Sequence, residues 1–199
     1  MDISIELISK LRGSVKEKQN FHRFEHTLGV AYTAACMAFI HGGDPLKAEL
    51  AGILHDCAKC YKNDELIRLC AEENVPLSAE EIASPAVIHA KYGRKMAETE
   101  YGIDDPDILN AIAFHTTGRP DMSRLEKIIF IADYIEPLRD QAENLPEARK
   151  LAFEDLDLCV YHILEATIRY LEGKNAPIVP DTMLAYQWYR EHLPVQAAD

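Results

Sequence analysis

Apolar residues recur at spacings of three and four along most of the chain, and no stretch alternates with period two. That pattern predicts helices and no strands. Polar residues punctuate it. In "GGDPLKAELAGILHD", Asp44 stands as N-cap with Pro45 at the first helical position. "SPAVIHAKYGRKMAETEYG" repeats the device with Ser84 and Pro85 and closes on Gly102. "DDPDILNAIAFHTTG" does so with Asp105, Pro106 and Gly118. "SRLEKIIFIADYIEP" opens on a capping box, Ser123 to Glu126, and stops at Pro137. The run 144–174 reads as one long helix ending at Gly173, and "DTMLAYQWYREHL" as a last helix capped by Asp181. Segments 2–12 and 20–41 complete the set. The expectation is an all-α protein, with roughly eight to ten helices in one compact bundle. Its core spans residues 18–140, and C-terminal helices over 146–192 pack on it. The segment 174–181, "KNAPIVPD", carries two prolines and reads as a non-helical approach to the last helix. Trp188 and Tyr189 on that helix read as packing internally, with a homodimer as the alternative.

Composition narrows the function classes. Asp and Glu number 33 against 21 Lys and Arg, a formal charge of −12. Such a chain does not bind nucleic acid non-specifically, because that depends on cations neutralising phosphates. A phosphorylated small ligand would need a local cationic trap or a metal. No apolar run is long enough to span a bilayer, and "MDISIELISKLRG" lacks the basic start and cleavage site of a signal peptide. We therefore expect a soluble, cytoplasmic protein without a membrane partner. The five cysteines are odd in number and read as reduced thiols. Cys57 and Cys60 form a C-x-x-C, but no second pair at matching spacing completes a zinc site.

Six polar residues stand out against their apolar surroundings: His26, His55, Asp56, His89, His115 and Asp133. Singly, each has an ordinary explanation as a dipole partner, a cap or a satisfied core residue. Together, from five helices, they share a reason: buried charges are paired or bind metals. An N/O set without sulfur suits iron, manganese, cobalt or zinc. His22, four residues before His26, offers a further chelating pair on one helix face. A divalent ion lowers the pKa of bound water and polarises a phosphoryl oxygen. Lys59 and Arg139 are the candidate cations for phosphates; Arg23 and Arg94 are further candidates, for which a solvated surface charge is the preferred reading, less strongly for Arg23.

The set His26, His55-Asp56 and Asp133 resembles the HD-domain metal-dependent phosphohydrolases. The blocks "RFEHTLGV", "LHDCAK", "AFHTTGRP", "IADYIEPLR" and "PIVPDTMLAYQW" resemble, in this order, the YqeK subgroup of symmetrical bis(5′-nucleosyl)-tetraphosphatases. The resemblance implies a single HD domain that cuts diadenosine tetraphosphate into two ADP molecules. It implies His26, His55, Asp56 and Asp133 as metal ligands, with iron the usual ion. His89 and His115 match positions close to the phosphates, as general acid or as holders of a second ion. Thr116 and Arg139 match nucleotide-contacting positions, and Lys59 the lysine that follows the dyad. Ala176, Pro177, Ile178, Val179, Pro180 and Asp181 match a stretch near the nucleoside. Two positions depart from the pattern. Lys91 and Tyr92 stand where many relatives carry Pro-Val, which bears on the rim of the pocket. Cys57 takes an apolar or aromatic position. The rival readings are an HD enzyme acting on nucleotides or deoxynucleotides, a nucleotide-binding sensor without catalysis, and a helical interaction module.

Overall fold

A computed structural model describes residues 2–193. Eleven α-helices and no strand occur among the described residues. They are α1 (Ile5–Lys18), α2 (Phe21–Ile40), α3 (Pro45–Leu54), α4 (Asn63–Glu72), α5 (Ala79–Ala83), α6 (Ile88–Thr99), α7 (Pro106–Phe114), α8 (Arg124–Ile135), α9 (Leu145–Leu151), α10 (Leu156–Gly173) and α11 (Pro180–His192). Two single 3-10 turns, Cys57–Cys60 and Pro85–Val87, precede α4 and α6.

The starts follow the predicted chemistry. The Asp44 and Asp105 side chains accept from backbone N–H groups at the heads of α3 and α7, each with proline in the first turn. Ser123 and Glu126 form the expected capping box of α8. The aliphatic faces of α2, α3, α7, α8 and α10 meet in one core that includes Val30, Leu50, Ile53, Ile112, Ile129 and Ile163. A smaller cluster under α4 holds Cys57, Leu66, Cys70, Ile88, Tyr92 and Met96. Tyr189 is buried and Trp188 packs against the main core, so the aromatic pair of α11 is turned inward.

Several boundaries differ from expectation. The run 144–174 is two helices, because Asp155 bonds the N–H groups of Asp157 and Leu158 and so starts α10 afresh. Residues 60–83, given no element from sequence, carry α4 and the five-residue α5. These pieces raise the helix count above the eight to ten expected. Asp181 is not the cap of α11: Val179 takes that place with Pro180 at the first position, and Asp181 sits in the first turn. Proline suits the first helical position because the N–H it lacks has no partner within the helix, and an acid in the first turn favours the positive helix end. Ser84 makes no capping bond; its hydroxyl donates to the Pro177 carbonyl at 3.1 Å, tying the 174–181 segment to the turn before α6.

One close approach positions the site. A Cβ on Gly52 of α3 would lie 2.6 Å from the Ala31 Cα of α2. The two backbones meet because glycine and alanine face each other there. Gly52→Ala should lower unfolding free energy by about 1–3 kcal/mol, the cost of overpacking. Urea denaturation measures it, and an unchanged midpoint would show that α2 and α3 can part freely.

Candidate metal centre

The dyad lies where α3 breaks. Leu54 is its last residue and His55 its C-cap; Asp56 then leaves the helix with φ −105° and ψ 21° and leads into the 3-10 turn. This departure brings His55 Nε2 to 3.6 Å from Asp56 Oδ2, which two neighbours inside one helix could not achieve. His115 ends α7 in the same way. His89 opens α6, His26 lies in the second turn of α2, and Asp133 in the last turn of α8. All six side chains converge, and Asp56 is only 3% exposed.

Asp56 divides the cluster in two. Its Oδ2 faces His26 Nε2 at 3.7 Å and His55 Nε2 at 3.6 Å. Its Oδ1 faces His89 Nε2 at 3.1 Å and His115 Nε2 at 3.5 Å. Asp133 Oδ1 closes the first group, 3.1 Å from His26 Nε2 and 3.9 Å from His55 Nε2. Three sets have ligand atoms close enough to share an ion: His26–His55–Asp56, His55–His115–Asp133 and Asp56–His89–His115.

The imidazole tautomers follow from the outer nitrogens. His55, His89 and His115 each donate from Nδ1 to the carbonyl three residues back, on Gly52, Ala86 and Ile112, at 2.6, 2.7 and 2.8 Å. A carbonyl only accepts, so these Nδ1 atoms carry the proton and, in the neutral ring, Nε2 carries a lone pair. His26 Nδ1 lies 3.0 Å from a Glu136 carboxylate oxygen. The inner nitrogens then meet in pairs: His26 and His55 at 3.3 Å, His89 and His115 at 3.1 Å. Lone pairs so close repel unless a cation or a proton lies between them. The residues present therefore fit a divalent metal centre of imidazole and carboxylate donors.

The electrostatics agree. Burial works against the charged carboxylates of Asp56 and Asp133, but the surrounding histidines outweigh it and hold both well below the usual range. Burial lowers His89 to about 4, so its ring is neutral at pH 7. His26 is raised: burial opposes its charging, but the hydrogen bonds to Asp133 and Glu136 prevail. Burial also lowers Lys59, which is half-buried beside Asp56.

Cations rim the cluster. Arg139 donates from Nη2 to Asp133 Oδ1 at 2.6 Å. Arg23, read from sequence as a solvated charge, instead donates to Asp56 Oδ2 at 2.7 Å. Arg94 is exposed as expected, and so is His22, which stays out of the cluster. The buried Thr116 Oγ1, next to His115, has no hydrogen-bond partner. Within the 176–181 segment Val179 is buried, and the Ser84 bond to Pro177 sets the segment beside the turn whose Ala86 carbonyl anchors His89. Lys91 and Tyr92 bond Glu81 and Glu73, on the α4–α5 side. Cys57 is a buried thiol 3.5 Å from the Gly93 carbonyl.

Two contributors, Gln19 and Glu136, escaped the sequence reading, and a third, Arg23, was set aside by it. Arg23 and Gln19, whose amide reaches the Asp56 carbonyl at 3.3 Å, sit in ordinary polar surroundings. Glu136 carried a signal, an acid directly after the apolar stretch of α8, but the proline that follows made it look like a helix end. Because Asp56 is shared, Asp56→Ala should reduce bound metal to less than a tenth of the wild-type content. Elemental analysis measures it, with circular dichroism to check folding; a metal-loaded, folded variant would refute the shared-ligand geometry.

Comparison with known proteins agrees with this geometry. Residues 23–138 match the HD domain family. The chain is 42% identical over 174 residues to a protein of Bacillus subtilis named symmetrical bis(5′-nucleosyl)-tetraphosphatase, covering 87% of this chain and 92% of that one. It is 45% identical to one of the same name from Halalkalibacterium halodurans, covering 86% and 91%. A crystal structure from Clostridium acetobutylicum, described as a predicted HD superfamily hydrolase involved in NAD metabolism, superposes with a TM-score of 0.88 at 40% identity, covering 92% of this chain and 96% of the other. With its His55-Asp56 dyad at a helix break, its candidate ligands on five helices and these relatives along nearly its whole length, the chain belongs to the HD domain family.

Proposed function

We propose that this protein hydrolyses diadenosine tetraphosphate and related dinucleoside polyphosphates symmetrically, releasing two ADP. The observation that carries the reading is the pair of ligand sets sharing Asp56, with the Arg23 guanidinium on Asp56 Oδ2 and the Arg139 guanidinium on Asp133 Oδ1. The names of the well-covered relatives support the substrate class. His26, His55, Asp56 and Asp133 would hold one divalent ion, iron foremost, and His89 and His115 with Asp56 a second. Bound there, the metal supplies an activated water and polarises the phosphoryl group.

The chain's own residues do the rest. Arg23 and Arg139 are partly exposed and move from the carboxylates onto the phosphate bridge, where planar donors bind oxygen pairs. Thr116 Oγ1 offers an unused hydrogen-bonding group to the nucleotide. The stretch Ala176–Asp181 borders the site and receives the nucleoside, so that the distance from base to metal sets the cut at the middle anhydride. Lys59, with its ammonium disfavoured by burial, lies close enough to Asp56 to feel its charge and adds a cation at the leaving phosphate. Free cysteines throughout support a reducing, cytoplasmic setting. The outward face of α2 exposes Tyr32, Cys36, Phe39 and Ile40 without a charge among them, which supports self-association as a homodimer.

Product analysis tests the reading. With iron, cobalt or manganese, diadenosine tetraphosphate should yield ADP alone. ATP plus AMP would overturn the symmetrical cut, and phosphate release from mononucleotides alone would favour the rival hydrolase. Arg139→Ala should lower kcat/KM by about 10²-fold, the effect of removing one charge-stabilising donor, while metal content stays at the wild-type level. An unchanged kcat/KM would remove Arg139 from the phosphate site.

A further inference from the structure

We propose that Glu136 is a positioning residue of the metal centre, acting through His26, and that Gly29 provides the space it occupies. The inference rests on the metal-dependent reading of the cluster. The four histidines are not held alike. Three of them anchor Nδ1 on a backbone carbonyl three residues back. His55 and His115 can do so because they cap helices, where the last carbonyls lack partners within the helix. His89 draws on Ala86 in the 3-10 turn ahead of α6.

His26 has no such source. It lies well inside α2, where the neighbouring carbonyls already serve the helix ladder. Its acceptor must come from another element, and Glu136, the C-cap of α8, supplies it at 3.0 Å. The carboxylate is 1% exposed, and its second oxygen accepts the Leu138 N–H at 2.7 Å. The same turn is closed by the Arg139 N–H on the Glu136 carbonyl at 3.0 Å. One side chain thus orients a metal ligand and shapes the turn that presents Arg139.

Gly29 makes the room. A Cβ there would lie 2.6 Å from Glu136 Oε2. Glycine inside a helix is a poorer choice than alanine, so a packing requirement explains its presence in the middle of α2. There is an electronic consequence as well. Of the four imidazoles, only His26 donates to a full negative charge; the others donate to neutral carbonyls. A carboxylate partner fixes the tautomer and raises the basicity of the ligating nitrogen. His26 is therefore the strongest imidazole donor of the centre.

Metal titration of stripped protein with manganese or cobalt alone tests this. Glu136→Gln keeps shape and loses charge; Gly29→Ala leaves every ligand and Glu136 itself in the sequence, yet displaces the carboxylate. Each should weaken binding of the first metal equivalent about 10- to 100-fold. Each should also alter the visible absorption of the cobalt-loaded protein. Both metal-free variants should keep the wild-type far-UV circular dichroism, because the helices do not depend on the carboxylate, although displacing Glu136 from the Leu138 N–H lowers the melting temperature. A changed cobalt spectrum together with weaker metal binding in a folded variant is a signature that a purely structural role does not produce. Wild-type metal affinity in either variant would overturn the proposal. A wild-type protein that takes up no metal would overturn the metal reading itself, and the role of Glu136 with it.

Discussion

Four imidazole nitrogens turned toward one another in a protein interior, with two carboxylates among them, form the constraint on which the rest of this structure depends. Neutral rings in this arrangement repel, and bare carboxylates at this depth are costly. The helices must therefore hold six polar side chains against their natural tendency to separate and hydrate. They do so by fixing the outer nitrogen of every ring. Once Nδ1 is committed, the inner lone pair has one direction in which to point, and the cluster becomes a receptor for positive charge.

The fold serves this purpose through helix ends. Two of the histidines sit at helix C-termini, where free carbonyls are available without cost to the ladder. A third uses a 3-10 turn in the same way. The position inside a helix, His26, requires outside help and receives it from a buried acid on α8. Helix packing supplies the remainder: α2 and α3 approach at Gly52 and Ala31, and that approach brings His26 to within 3.3 Å of His55. Stability and site geometry thus share the same contact.

Charge is distributed with equal economy. A chain of formal charge −12 places two arginines and a half-buried lysine at its acidic centre. A polyanion approaching the molecule meets a repulsive surface except where these cations and the candidate metal ligands gather. Such focusing favours ligands that carry several phosphates in a row over those that carry one.

Much of this was legible in the chain itself. The period of the apolar residues determined an all-α fold, and Asp44, Asp105 and the Ser123–Glu126 box determined where three of its helices begin, because caps act over three or four residues. His26, His55, Asp56, His89, His115 and Asp133 were recognisable because a polar group on an apolar background is anomalous wherever it lies. Tertiary structure decided what no local pattern encodes. Arg23 and Glu136 look like ordinary surface or terminal residues until helices far apart in sequence bring them to Asp56 and His26. Asp155 restarts a helix within a continuous periodic run, and the two oxygens of Asp56 divide one cluster into two ligand sets. These are matters of distance and direction between elements, and only packing sets them.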